Sequence, residues 1–128
     1  MLRATVFLAL AVILAGCRPS EPLVIRTVQV GRSLNSDNSV GALTTRFEPE
    51  DTIYVSVLTA APGSSTLTAK WYYQGVLINE SSKEGSYRDP AATEFHLLNS
   101  SGFPAGAYRG EILIDGELKE TRNFTVAN

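Results

Sequence analysis

Apolar and polar residues alternate along much of the chain after its first twenty positions. In segment 52–59 one face is aliphatic and the other is mixed: Ile53, Val55 and Val57 against Tyr54, Ser56 and Leu58. Alternation with a period of two is typical of a β-strand with one buried face. Residues 24–30 alternate in the same way and predict a strand that carries on one face Val24, Arg26, Val28 and Val30.

Further segments have the composition of short strands, and residues that favour turns separate them. The segments are 43–47, 67–73, 76–81, 93–98, 107–114 and 118–126. The turns are Ala61-Pro62-Gly63, Gln74-Gly75, 86–90, 99–106 and Asp115-Gly116. After the first seventeen residues, no window has a sustained helical period. About seven or eight short strands in roughly 100 residues predict a single all-β antiparallel sandwich.

The turn at Gln74-Gly75 predicts a hairpin with a consistent register. With two residues in the turn, the opposed pairs are Tyr73 with Val76, Tyr72 with Leu77, and Trp71 with Ile78. One side of this hairpin then carries four residues suited to burial: Trp71, Tyr73, Val76 and Ile78. Pattern and register agree, so we expect this side to face the core.

The turn at Asp115-Gly116 does not close as simply. A two-residue turn with a regular ladder would place Ile112 opposite Lys119 and leave Leu118 on the wrong side. A three-residue loop with Gly116 in the left-handed region would restore the pattern, and so would a bulge within residues 118–124. The sequence leaves both alternatives open.

The N-terminus has the layout of a secretory signal. Arg3 supplies a positive start, residues 4–15 are mostly apolar, and small residues lead to Cys17, the only cysteine of the chain. An uncut membrane anchor is the alternative, but a run of about a dozen apolar residues is short of the ~20 that span a bilayer. A buried helix fits poorly, because the run is apolar on all sides.

The quartet Leu14-Ala15-Gly16-Cys17 resembles the lipobox of bacterial lipoproteins. The resemblance implies cleavage between Gly16 and Cys17 and fatty acylation of the Cys17 sulfur, which then holds the protein on a lipid bilayer. Simple secretion is the alternative. By the same resemblance, Arg18 in place of aspartate implies the periplasmic side of the outer membrane. The predicted organisation is a signal over 1–16, lipidated Cys17 with a short tether over 17–22, and a sandwich over 23–128.

Trp71 and the segment Gly106-Ala107-Tyr108 resemble features of immunoglobulin-like and fibronectin type III-like sandwiches. In those folds a core tryptophan and a tyrosine at the start of the penultimate strand recur. The resemblance extends over residues 43–126 and implies the fold, whereas such sandwiches have many functions. The chain departs from antibody domains because the inter-sheet cysteine pair is missing, and Gly110 stands two residues after Tyr108.

The charge balance disfavours nucleic acid as a partner. The 128-residue chain has 11 basic and 13 acidic residues. Removal of the predicted signal takes only Arg3 from the basic set, so the small negative balance remains.

No residue pattern predicts a catalytic, metal or cofactor site. His96, the only histidine, alternates with Phe95 and Leu97, which favours a surface position on a strand. One histidine and one cysteine do not make a zinc site. The acidic cluster Glu48, Glu50 and Asp51 lacks the spacing of a calcium loop and is expected to be a solvated turn. The sequence leaves open whether two of the carboxylates of Glu94, Glu111 and Glu120 approach each other as a catalytic pair for sugar cleavage.

The outward faces of the predicted strands suggest a surface for interaction. Tyr54 and Tyr72 lie on the strand faces that point away from the presumed core, and tyrosine is enriched at protein interfaces. The alternative is that these rings cover the edges of the sandwich. We therefore expect a non-catalytic module that binds an envelope protein or glycan, or else a structural accessory lipoprotein that stabilises a larger envelope assembly.

Overall fold

The computed structural model describes residues 21–128, so the predicted signal, Gly16 and Cys17 lie outside the described residues. The regular elements within this range are eight strands: β1 Val24–Gly31, β2 Arg46–Phe47, β3 Ile53–Ala60, β4 Gly63–Tyr73, β5 Val76–Tyr87, β6 Ala91–Leu97, β7 Gly106–Ile114 and β8 Glu117–Val126. No helix in this part of the chain is long and apolar enough to cross a membrane. The all-β prediction is confirmed.

The strands form two sheets of unequal width. One sheet has the order β1-β3-β6, and the other has the order β2-β8-β7-β4-β5. All pairs are antiparallel except the short β2–β8 pair, which is parallel. The wider sheet therefore ends in β5, and β6 of the narrower sheet contacts that strand.

The core lies between the two sheets and contains the residues that alternation places there. Ile53, Val55 and Val57 of β3 are each at most 2% exposed, as predicted. Trp71 of β4 is 1% exposed and meets the ring of Phe124 edge-on at 6.1 Å. On the neighbouring strand β7 the residue opposite Trp71 is Gly110.

The face prediction for β1 is wrong at its start. The β1–β3 register shifts between Ile25 and Thr27, where β1 carries an extra residue. A bulge reverses the side-chain alternation, so Ile25 packs on the core with Val28 while Val24 is 63% exposed. The predicted strand 43–47 is also shorter than expected, because only Arg46 and Phe47 pair with β8.

The Gln74-Gly75 hairpin has the predicted turn but not the predicted burial. Tyr73 lies opposite Val76 and Tyr72 opposite Leu77, and a bulge then places Asn79, instead of Ile78, opposite Trp71. Both turn residues have positive φ, as a two-residue hairpin turn requires. The first nine residues of β5 are exposed, Val76 and Ile78 among them, because β5 lies at the outer edge of the wider sheet.

The Asp115-Gly116 hairpin takes the second of its two alternatives. Ile114 lies opposite Glu117, so the turn has two residues, and both have positive φ. Leu113 pairs with Leu118 and Ile112 pairs with Glu120, which leaves Lys119 as the extra residue of a bulge. The bulge lies within 118–124 and sets Phe124 opposite Tyr108 in the core, but it leaves Leu118 51% exposed.

Candidate partner-binding surface

The sandwich has two ends, at which the strands begin and finish, and we call them the proximal end and the distal end. The proximal end is where the chain joins the sandwich at Glu21, whose carbonyl accepts a hydrogen bond from the Ser64 amide at 2.9 Å. The Asp115-Gly116 turn lies at this end, since the Asp115 amide donates to the Thr66 carbonyl. The distal end carries the Gln74-Gly75 turn and the loop before β7.

A basic side chain bridges the two sheets at each lateral side of the sandwich. On one side, Arg122 Nε of β8 donates to the Val28 carbonyl of β1 at 3.3 Å. On the other side, Lys83 Nζ of β5 donates to the backbone carbonyl of Glu94 on β6 and lies 3.2 Å from Glu94 Oε1. The Lys83 ammonium also lies 5.3 Å from the ring centroid of Phe95.

The cleft between β5 and β6 is closed except at the distal end. Closer to the proximal end, Tyr87 Oη and Thr93 Oγ1 share a hydrogen bond of 2.8 Å, and Lys83 follows along β5. Beyond Lys83 the cleft opens into a groove of about 310 Å³, which we call the distal groove. Its lining is mainly apolar and aromatic: Tyr73, Ile78, Asn79, Leu97, Leu98, Asn99, Phe103, Pro104 and Tyr108.

Exposed apolar side chains lie at and near the distal groove: Ile78 and Leu98 line it, and Val76 and Leu77 directly precede Ile78 on β5. We call this set the distal apolar patch: Val76 (65% exposed), Leu77 (47%), Ile78 (45%) and Leu98 (65%). Single exposed apolar residues are ordinary, whereas a cluster beside a groove is typical of an interaction site. The patch was not predicted as a site, although the unbroken apolar run 76–78 interrupts the alternation and is a signal in the sequence.

Hydrogen bonds within the protein fix the floor of the distal groove. Tyr73 Oη donates to the Ala105 carbonyl at 2.8 Å, and Tyr108 Oη donates to the Pro104 carbonyl at 2.6 Å. The Phe103 amide donates to the Pro49 carbonyl at 2.8 Å. Burial, and then the neighbouring Tyr73, raise the pKa of Tyr108, so its hydroxyl keeps the proton that it donates. The groove is therefore preformed.

A larger groove of about 500 Å³ lies at the proximal end between the start of β1 and the β7–β8 turn. Its rim is charged, with Asp115, Glu117, Lys119 and Glu120 among the lining residues. The distal groove is smaller, but its lining carries no charged residue, and it adjoins the apolar patch. We take the distal groove as the better candidate for binding.

The two predicted surface tyrosines do not share a face. Tyr54 lies on β3 in the narrower sheet, where its ring is 5.9 Å from that of His96. Tyr72 lies on β4 in the wider sheet, beneath the guanidinium of Arg109 at 4.2 Å. Because they belong to opposite sheets, a partner that binds on one sheet does not contact both tyrosines.

The predicted placement of His96 at the surface is confirmed, since its side chain is 52% exposed. Its Nδ1 atom lies 3.1 Å from Glu94 Oε2. Burial of the Glu94 carboxyl raises its pKa, but hydrogen bonds from His96 and Lys83 and the charge of Lys83 outweigh burial and hold the pKa below its usual value. A carboxylate in this arrangement stays ionised and acts as an ion-pair partner.

Glu94, Glu111 and Glu120 do not come together, so no two of them form the catalytic pair that the sequence left open. Glu94 belongs to the narrower sheet, where it meets Lys83. Glu111 pairs with Arg109 at 3.4 Å, while Glu120 pairs with Arg122 at 2.9 Å. Glu111 and Glu120 lie on opposite faces of the wider sheet, as their positions beside and opposite Ile112 require. Within residues 21–128 no group of three or more potential metal ligands occurs.

No family model and no curated protein matches this chain. Among solved structures, an immunoglobulin-like protein from Pseudomonas aeruginosa superposes with a TM-score of 0.57 and 11% identity, over 84% of this chain and 98% of that one. The chain has an immunoglobulin-like fold. A β-glucosidase from Listeria innocua in complex with glucose aligns with a TM-score of 0.51 and 9% identity, over 80% of this chain but only 16% of the glucosidase. Both likenesses concern the fold alone.

The immunoglobulin-like fold accounts for two residues singled out in the sequence. Trp71 lies in the core of the sandwich, and Tyr108 near the start of β7 bonds back to the carbonyl four residues upstream. This arrangement is the tyrosine corner of such sandwiches. On the core side of the wider sheet, the rings of Tyr108 on β7 and Phe124 on β8 stack with their centroids 5.4 Å apart.

Proposed function

We propose that this protein is a lipid-anchored module of a bacterial cell envelope that binds a partner protein without catalysing a reaction. The observation that carries the proposal is the preformed distal groove with its exposed apolar patch. An apolar surface of this kind is stabilised when a partner removes it from water. The pairing of Glu94, Glu111 and Glu120 with basic side chains supports a role in binding over one in catalysis.

The anchor would set the orientation of the sandwich. Contacts with the sandwich begin at Glu21, and the Leu23 amide donates to Ser65 Oγ at 2.9 Å. Cys17 precedes Glu21 by four residues, which reach at most ~14 Å when extended. A lipidated Cys17 therefore holds the proximal end beside the bilayer. The distal groove then faces away from it, at a distance of about 35 Å along the eleven residues of β4.

The anchor is tested by Cys17→Ser. One acyl chain binds membranes reversibly, whereas two or three hold a protein firmly. We expect the variant to leave the membrane fraction or to keep its signal, and the wild-type protein to carry acyl chains on Cys17 by mass spectrometry, in the outer-membrane fraction. An unmodified thiol on a mature, membrane-bound protein would overturn the anchor.

The binding role is tested by photo-crosslinking in intact envelopes. A photoreactive residue is placed at Leu98 in the distal apolar patch, and at Leu118 on β8 as a control with similar exposure, 65% against 51%. We expect a crosslinked product of defined mass from Leu98 and none from Leu118. The absence of any product from Leu98 would contradict the proposal.

Deletion of the gene distinguishes a structural accessory role from a binding role. A binding module leaves the abundance of the crosslinked partner unchanged when it is removed. A fall in the partner's abundance would instead indicate that the chain stabilises the assembly.

A further inference from the structure

We infer that the distal groove and the adjoining free edge of β5 together bind an extended segment of a partner protein, which adds as a strand beside residues 76–79 and inserts an apolar side chain into the groove. This inference rests on the proposed binding function and specifies how the partner binds. It concerns a polypeptide partner, because the edge of a strand requires backbone donors and acceptors.

The edge of β5 is long and unpaired. β5 has twelve residues, and β4 is its only neighbour in the sheet as far as the described residues extend. Alternate backbone N–H and C=O groups of a terminal strand point away from its sheet and form a template for another strand. A lipid tail would cover the apolar patch but would leave these groups without hydrogen bonds.

Charge protects only one half of this edge. Proteins commonly guard edge strands with charged residues, lysine above all. β5 carries Glu80, Lys83 and Glu84 in its later part, whereas residues 76–79 carry no charge. The uncharged part of the edge contains the bulge at Ile78 and lies beside the distal groove, so pairing is least opposed by charge where a side-chain pocket is present.

The edge of β6, across the cleft, is the less available of the two. Lys83 Nζ donates to the backbone carbonyl of Glu94 and lies beside the Glu94 carboxylate. A strand that added to β6 would have to displace this charged hydrogen bond. Charge-assisted hydrogen bonds are roughly twice as strong as neutral ones. The free edge of β5 is therefore the one that accepts a strand.

A strand beside β5 would lie over the opening of the cleft between the sheets. Successive side chains of a strand point to opposite faces, so every second residue of the added strand would point toward the groove. The groove holds about 310 Å³, with Ile78, Leu97 and Phe103 among its walls, and it suits an apolar side chain. This is binding by strand addition, in which the backbone gives affinity and the pocket gives selectivity.

A second copy of this chain fits the edge less well. Two β5 strands that pair antiparallel must oppose residues of equal parity, since opposed side chains share a face. A pairing centred on Ser82 places Glu80 opposite Glu84 of the other copy, whereas one centred on Ser81 sets the bulge at Ile78 against Lys83 and Glu84. Full-length pairing thus opposes like charges or places a carboxylate against the apolar patch.

The inference is tested with a phage-displayed library of ten-residue peptides, panned against the full lipidated chain in lipid nanodiscs. We expect selected peptides to contain an apolar residue and to lose at least about tenfold in affinity on the variant Ile78→Asn. Leu118→Asn is the matched control and should bind as the wild type does. Because Ile78 is 45% exposed, its substitution should leave the melting temperature close to that of the wild type.

A backbone scan of a selected peptide provides the decisive signature. N-methylation removes one N–H at a time, and only every second N–H of a paired strand faces β5. We expect methylation at alternate positions to abolish binding and at intervening positions to be tolerated. Tolerance at every position, or a library that yields no binder sensitive to Ile78→Asn, would overturn strand addition.

The failure of strand addition is distinguishable from the failure of the binding function. If the Leu98 crosslink in envelopes persists in the Ile78→Asn variant, the protein is a binding module but not through the β5 edge. If sedimentation shows a dimer of the wild-type chain that Ile78→Asn dissociates, a second copy is the occupant and the inference is wrong.

Discussion

Lys83 and Glu94 join the two sheets across the lateral cleft through one ammonium group. Lys83 Nζ lies 3.2 Å from Glu94 Oε1 and donates as well to the Glu94 backbone carbonyl on the edge of β6. One side chain therefore connects the two sheets and covers part of the edge of β6.

Lys83→Met removes this connection while keeping an apolar stem of similar length. Exposed ion pairs contribute up to ~1 kcal/mol, and the Lys83 side chain is 45% exposed. We expect the free energy of unfolding to fall by about 1 kcal/mol in urea denaturation. Lys119→Met is the control, because Lys119 pairs at 3.3 Å with Glu117, whose side chain is 74% exposed against 17% for Glu94, and its loss should be near zero. Equal losses would contradict a role for Lys83 in joining the sheets.

Glu94 makes stability depend on pH. Its pKa is below the usual value in the folded protein, where burial opposes but does not cancel the hydrogen bonds from His96 and Lys83. The unfolded chain therefore binds the proton more readily, and stability is lost as the pH falls from about 5 through the folded pKa. We expect Glu94→Gln to flatten this acid dependence in urea denaturations between about pH 5 and 3. An unchanged slope would show that Glu94 is not the group responsible.

Trp71→Ala tests the core. Trp71 is 1% exposed, and truncation of a buried aromatic residue costs about 3–5 kcal/mol. Its neighbour Tyr72 faces outward beneath Arg109, and Tyr72→Ala should cost about 1 kcal/mol, the scale of an exposed cation–π contact. Chemical denaturation of both variants measures the difference. A melting curve that Trp71→Ala leaves in place would remove this residue from the core.

Tyr108→Phe tests the tyrosine corner. The change keeps the ring, which stacks on Phe124, and removes the hydrogen bond to the Pro104 carbonyl. We expect a loss of about 1 kcal/mol in the free energy of unfolding. Tyr54→Phe is the control, since the described part of the chain offers its hydroxyl no hydrogen-bond partner. If both variants lose the same amount, the corner bond does not stabilise the fold.

Alternation in the sequence predicts which strands form but not where a strand carries an extra residue. The face of β3 follows the pattern throughout, because β3 carries no extra residue in either of its ladders. In β1 the bulge after Ile25 reverses the pattern, and Val24 becomes exposed. The bulge at Lys119 was one of two open alternatives, since a count of residues cannot locate the extra one.

The candidate site was the part that sequence reasoning missed. Ile78 is apolar and lies in a strand, so a pattern rule assigns it to the core, whereas its burial depends on whether the other sheet extends opposite it. Sheet width is a tertiary property, and it leaves β5 beyond the narrower sheet. Leu98 and Phe103 come to Ile78 from a loop distant in sequence, which no local pattern reveals.

The Glu21 contact at one end and the distal groove at the other also determine how the molecule carries mechanical load. Under the proposed function, an acylated Cys17 and a partner in the groove would pull in opposite directions, and the force would run along the strands. Ladder hydrogen bonds lie across that direction, so they are strained together in shear instead of breaking one by one. The placement of the Glu21 contact and the distal groove at opposite ends of the strands would therefore make the sandwich resist being pulled open by such a load.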